Sequence, residues 1–144
     1  MRWKSLKGNE TGAAAVEFAI LLPLLLVLIF GGIEYGLVMF NQQVITNASR
    51  EAARAGIVVN GPSHDDIEKI ALAYCADYLV TFKDPDPGPV VQVTPPGPLI
   101  FPQELTVTVD YDYEFLLLPN LSQLFGGGTS SGISLQGRTI MRHE

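Results

Sequence analysis

The sequence predicts an α+β protein built from a long N-terminal helix, a second helix, and a small antiparallel sheet of about three strands. Three observations carry this. The run from Ala19 to Ile33 holds no charge. An apolar period near 3.6 then continues to about Gly56 and restarts at Ile67. Beyond Val90 the period changes to two. Strands with one apolar face need cover, and the helices can supply it.

The 144 residues suit one domain and an anchor. Hydrophobic residues make up 47% and charged residues only 17%, with the apolar excess at the N-terminus. The net charge is -6, and residues 1–12 hold Arg2, Lys4 and Lys7 against Glu10, which leaves about -8 on the rest. So acidic a body lacks the basic footprint that nucleic acid requires, and nucleic acid is excluded as a partner. The single cysteine, Cys75, excludes an internal disulfide framework and a multi-cysteine metal site.

Ala13 to Ile33 is about 21 residues, or ~31 Å of helix, enough to cross a bilayer core. A secretory signal would place small residues after its apolar core, whereas the alanines here precede it. Two readings remain. One is a plain anchor whose basic leader stays in the cytoplasm. The other is a leader cut off before the apolar core, so that the helix survives in the mature chain. Glu17 bears on the choice, because a carboxylate at the head of a membrane helix is costly unless it sits at the headgroups or has a task. Pro23 falls within the span, and Gly32 and Gly36 form a GxxxG pair that permits close helix packing. Glu34 and Tyr35 are expected at the far face of the membrane, with Tyr35 as an interfacial anchor.

The helix is expected to continue as a stalk. Val38, Asn41, Ile45, Ala48, Ala52 and Ala55 recur at helical spacing, while Asn41, Gln42, Gln43, Asn47, Arg50, Glu51 and Arg54 supply a wet face. Asn60-Gly61-Pro62 breaks it. The expected organisation is a basic leader at 1–12, a transmembrane and stalk helix at 13–60, and an extracytoplasmic α+β domain at 61–144. Ser63 is the predicted cap of the second helix, with Asp65 and Asp66 in its first turn. Its apolar stripe runs Ile67, Ile70, Ala71, Tyr74, Cys75, Tyr78, Leu79 and Phe82, which places Cys75 in the core. Asp84 to Pro89 forms a rigid turn. Val90, Val91 and Val93 mark a short strand, Leu105 to Phe115 a long one, and Ile133 to Met141 the last. Leu121 to Gly128 is expected to be a loop ending in a triple-glycine hinge.

No catalytic arrangement is legible. His64 and Cys75 are ~16 Å apart along one helix, too far for a thiol–imidazole pair. His64, Asp65 and Asp66 diverge around the helix, so they read as capping rather than as metal ligands. Asp84 and Asp86 alone are too few for calcium. The triple glycine lacks the lysine of a phosphate loop. No enzyme activity, cofactor or metal is expected.

The segment Gly12-Ala13-Ala14-Ala15-Val16-Glu17-Phe18 resembles the processing site of type IV pilins and pseudopilins. Leu22-Pro23-Leu24, Phe30-Gly31-Gly32-Ile33-Glu34-Tyr35-Gly36, Asn47-Ala48-Ser49-Arg50-Glu51-Ala52-Ala53-Arg54 and Thr139-Ile140-Met141-Arg142 extend the likeness. Together they resemble a TadE-like pseudopilin of the tight-adherence (Flp) pilus system. That resemblance implies a pilin-like fold and cleavage between Gly12 and Ala13 by a prepilin peptidase. It implies that Glu17 and Phe18 serve subunit assembly, with Glu17 pairing with a neighbour's free N-terminal amine. The implied partners are other pilins or pseudopilins, an inner-membrane assembly platform and the lipid bilayer. The implied location is the inner (cytoplasmic) membrane, crossed once, with the C-terminal part periplasmic or extracellular. The lone Cys75 departs from relatives that carry a cysteine pair. A membrane-anchored binding module with no filament role remains the alternative.

Overall fold

The protein is described from a computed structural model covering residues 10–58, 62–82, 85–95, 103–116 and 132–142. Residues 1–9 of the expected leader, the triple-glycine hinge and Asp84 lie outside these residues. Helix α1 spans Glu10–Gly56, 47 residues, and carries Pro23 inside it. At helical rise it is ~70 Å long. Helix α2 spans His64–Tyr78. Strands β1 (Val90–Thr94), β2 (Glu104–Glu114) and β3 (Gly132–Arg142) form one antiparallel sheet in the order β1-β2-β3.

The two halves of α1 differ in what surrounds them. Phe18, Ile20, Leu24 and Leu28 are all exposed, and none of the helix's most apolar stretch is buried. This half is long and apolar enough to cross a membrane. From Glu34 onward the helix packs on the sheet and on α2. Its inward stripe is Glu34, Val38, Asn41, Ile45, Ala48 and Ala52, all buried. Steps of four and three residues keep these six on one face.

The sheet meets that stripe with its period-two face. Leu105, Val107, Val109, Tyr111 and Tyr113 of β2 are buried, and Leu135 of β3 joins them. Register places Leu135 opposite Tyr111 and Thr139 opposite Val107. The other face is polar, with Gln92 beside Thr108, which in turn faces Arg138. Each fully buried Val, Leu or Ile contributes about 1.5–3 kcal/mol, so this layer dominates the stability of the globular half.

Helix α2 closes the remaining side against α1 and β1. Ser63 caps it as expected, its Oγ accepting from the Asp66 amide at 3.3 Å. That hydroxyl also donates to Asp66 Oδ2 at 2.7 Å, and together with Lys69 it holds the Asp66 carboxyl below its usual range. Ile67, Ala71 and Cys75 are buried. Burial alone pushes the Cys75 thiol up to about 11, which marks it as an inert core residue. The stripe does not run on through Phe82. The helix stops at Tyr78, and both Tyr78 and Phe82 are exposed. The reason lies on α1, where Asn41 takes the backbone of Val80.

A helix with four polar anchors

The globular half is fastened to α1 by polar side chains arranged along the helix. At the lowest level, Glu34 is 1% exposed. Its Oε1 accepts from the Leu116 amide at 2.6 Å and from the Tyr113 hydroxyl at 3.3 Å. Glu34 therefore does not stand as a solvated marker of the membrane face, as its place beside Tyr35 suggests. It is buried under the end of β2, where its charge is met by donors. Burial first, and the Glu34 carboxylate second, push the Tyr113 hydroxyl up to about 12. Tyr113 also meets Phe115 edge to face, with ring centroids 5.9 Å apart.

Two turns higher, Asn41 is fully buried rather than wet. Its Nδ2 donates to Val80 O at 2.7 Å and its Oδ1 accepts from Val80 N at 3.0 Å. Beside it, Gln42 Nε2 donates to Gln136 O of β3 at 2.8 Å. Ser49 is buried as well. Its hydroxyl donates to Thr46 O at 2.8 Å, which leaves the Thr139 hydroxyl to donate to Ser49 Oγ at 2.7 Å. Between these bonds Gly137 lies against the helix backbone. A Cβ there would stand 2.7 Å from the Ile45 carbonyl. Glu34, Asn41, Gln42 and Ser49 thus hold three segments between them: the end of β2, the exit of α2, and β3 at two heights. The signal for Glu34 was present in the sequence. Extending the inward stripe back four residues from Val38 lands on it.

The residues expected to act between subunits lie elsewhere. Glu17 and Phe18 are exposed on the unpartnered half of α1, and no hydrogen bond or ion pair reaches Glu17 among the described residues. Gly12 and Ala13 lie in the helix one turn earlier. A Cβ added at Gly32 or Gly36 would meet nothing within 4 Å. At 100° per residue, both glycines point roughly opposite to Glu34, away from the sheet. The structure does not gather these residues into one site. It spreads them along the bare side of one helix, with Gly32 ~22 Å from Glu17.

Among the described residues no group of three or more metal-ligating side chains occurs. Asp86 is occupied in its own turn, where Oδ1 accepts from the Gly88 amide at 3.0 Å and Gly88 adopts φ +73°. Its other oxygen accepts from the Tyr111 hydroxyl at 3.4 Å.

These features define a class: a small α+β domain carried on one helix, whose first half is bare and is long and apolar enough to cross a membrane. A family likeness falls on that same helix. Residues 12–54 match the model of the TadE-like protein family, a segment that holds the bare half of α1 and all four anchors. Comparison with curated proteins and with solved structures gives no match.

Proposed function

We propose that this chain is a minor pilin-like subunit of a tight-adherence pilus, anchored by α1 and acting in pilus assembly. The observation that carries the reading is a coincidence of boundaries. The TadE-like match begins at Gly12, where the apolar run of the sequence opens, and continues through the bare half of α1. A helix that must both cross lipid and later pack against other helices should have no partner in its own chain, and among the described residues this half has none.

In this reading a prepilin peptidase cuts between Gly12 and Ala13 on the cytoplasmic side, and the C-terminal part lies outside the cytoplasm. Glu17 then becomes the fifth residue of the mature chain. A carboxylate and a free amine attract strongly at low dielectric, and each is costly there alone. Pairing Glu17 with a neighbouring subunit's N-terminus satisfies both, and Phe18 with the Gly32–Gly36 face supplies the packing beside it. The partners are other pilins or pseudopilins and an inner-membrane assembly platform.

The test is N-terminal sequencing of chain extracted from membranes. The mature chain should begin at Ala13, and Gly12→Leu should accumulate as the longer form. A membrane-bound chain that keeps residues 1–12 would overturn the pilin reading. It would favour the alternative, a tethered binding module. The feature that alternative would use is a groove of about 440 Å³ lined by Arg50, Glu51, Arg54, Tyr74 and Met141.

A further inference from the structure

We infer that the end of the sheet where β2 finishes and β3 starts rests in the lipid headgroup layer, so that the domain is docked on the bilayer as well as tethered to it. The inference rests on the membrane reading of α1 and goes beyond it, because a tethered domain need not touch lipid.

The argument is one of height along α1. Strand β3 runs beside the helix in the same direction, with Gln136 bonded to Gln42 and Thr139 to Ser49. Ile133 lies three residues before Gln136. At ~3.3 Å per strand residue and ~1.5 Å per helical residue, that places it about seven helical residues below Gln42, level with Tyr35. The Leu116 amide is bonded to Glu34, so Leu116 has the same height. Tyr113, which pairs with Ile133, confirms the level through its bond to Glu34.

A bilayer core of ~30 Å takes up about 20 helical residues, which from Ala13 ends near Ile33. Headgroups add roughly 5–8 Å on each side. That added layer is the height of Glu34 to about Val38, with Phe40 just above its upper edge. The exposed surface there is still apolar: Tyr35 is 65%, Phe40 47%, Ile133 45% and Leu116 40% exposed. Helix and sheet thus each contribute exposed apolar side chains to a partial ring at the point where the helix leaves the hydrocarbon. Glu34 lies inside that ring and is buried and bonded, as a carboxylate at this depth must be. On the sheet's outer face Asp112 and Glu114 stand at the same height. They hold the contact to the headgroup layer and keep it out of the hydrocarbon.

The occupant of this ring is lipid. The test uses single tryptophans in the full chain with Trp3→Phe, reconstituted in phosphatidylcholine vesicles with brominated acyl chains. Leu24→Trp reports the span, Ile133→Trp and Leu116→Trp report the ring, and Ile140→Trp reports the far end of β3, ~23 Å from Ile133. Ile133→Trp and Leu116→Trp should lose much of their emission to the brominated lipid, though less than Leu24→Trp, while Ile140→Trp should lose none. Quenching at Leu24→Trp with none at either ring position would overturn the docking and leave the span intact. Ring positions shielded from both brominated lipid and aqueous iodide would assign the ring to a second protein chain, which also overturns it. No quenching at Leu24→Trp would bring down the membrane reading and the docking together.

Discussion

Asn41 of α1 and Val80 beyond α2 hold each other by two hydrogen bonds, one in each direction, at 2.7 and 3.0 Å across 39 residues of chain. The side-chain amide stands in for a neighbouring backbone and ends α2 by claiming the groups a further helical turn would need. Asn41→Leu keeps the volume but leaves both Val80 groups unmet. It should cost about 2–4 kcal/mol, read as a lower urea midpoint in detergent. A midpoint equal to the native one would mean that water replaces the pair.

The Glu34 anchor has a pH signature. The folded protein holds the Tyr113 proton more tightly than the unfolded chain does, since the group is raised from 10.0 to about 12. Its contribution to stability is therefore complete below pH 10 and is lost as pH climbs toward 12, by about 3 kcal/mol in all. Cys75, raised from 9.0 to about 11, adds a loss that begins earlier, near pH 9. Denaturant midpoints measured against pH should show both losses. Cys75→Ala should delete the earlier one and Tyr113→Phe the later. An unchanged alkaline profile in Tyr113→Phe would detach Tyr113 from the pH dependence.

Two glycines should behave differently although both are crowded. A Cβ at Gly137 meets the Ile45 backbone, whereas one at Gly56 meets the side-chain ends of Leu105 and Ile67. Backbone cannot step aside as a side chain can. Gly137→Ala should cost about 2–3 kcal/mol in denaturant unfolding, and Gly56→Ala less. The reverse order would show that β3 shifts along α1 more easily than the core repacks.

The bare side of α1 should matter to neighbours and not to this chain's own fold. Gly32→Ile and Gly36→Ile add side chains into open space, so the urea midpoint should stay within about 0.5 kcal/mol of native. Glu17→Ala should leave protein level, cleavage and membrane location unchanged. If the proposed assembly role holds, all three variants lose co-purification with other pilins, and Glu17→Asp is intermediate. Wild-type piliation in Glu17→Ala would reduce that residue to an interfacial one.

Periodicity made most of the architecture legible. The stop of α1 near Gly56, the Ser63 cap and the three strands all follow from residue spacing and turn chemistry, and the structure places them there. What spacing could not show is the partner that each buried polar residue meets. Asn41 fits both the inward stripe and the wet face, and only its partner at Val80 decides between them. Phe82 continues an apolar period that the chain does not use, because the helix is ended from outside. Glu34 beside Tyr35 has the composition of a membrane boundary, and its burial depends on a strand 79 residues away. Such pairings are tertiary, and no local pattern encodes them.

The distance between Ser49 and Thr139, 90 residues along the chain, also orders events in time. Helix α1 is made first, yet its inward stripe is only partly covered, by α2 and β2, until β3 reaches it. Closing so long a loop is slow, and none of the contacts that compensate for it forms until the loop is closed. In the proposed membrane role, anchoring precedes closure: the bare half of α1 can enter lipid while part of the stripe from Val38 to Ala52 is still open. A chain halted before Gly132 would be inserted but unclosed, its apolar face offered to the membrane surface, to a chaperone or to a protease. The last strand acts as the clasp, and the domain counts as finished only when it arrives.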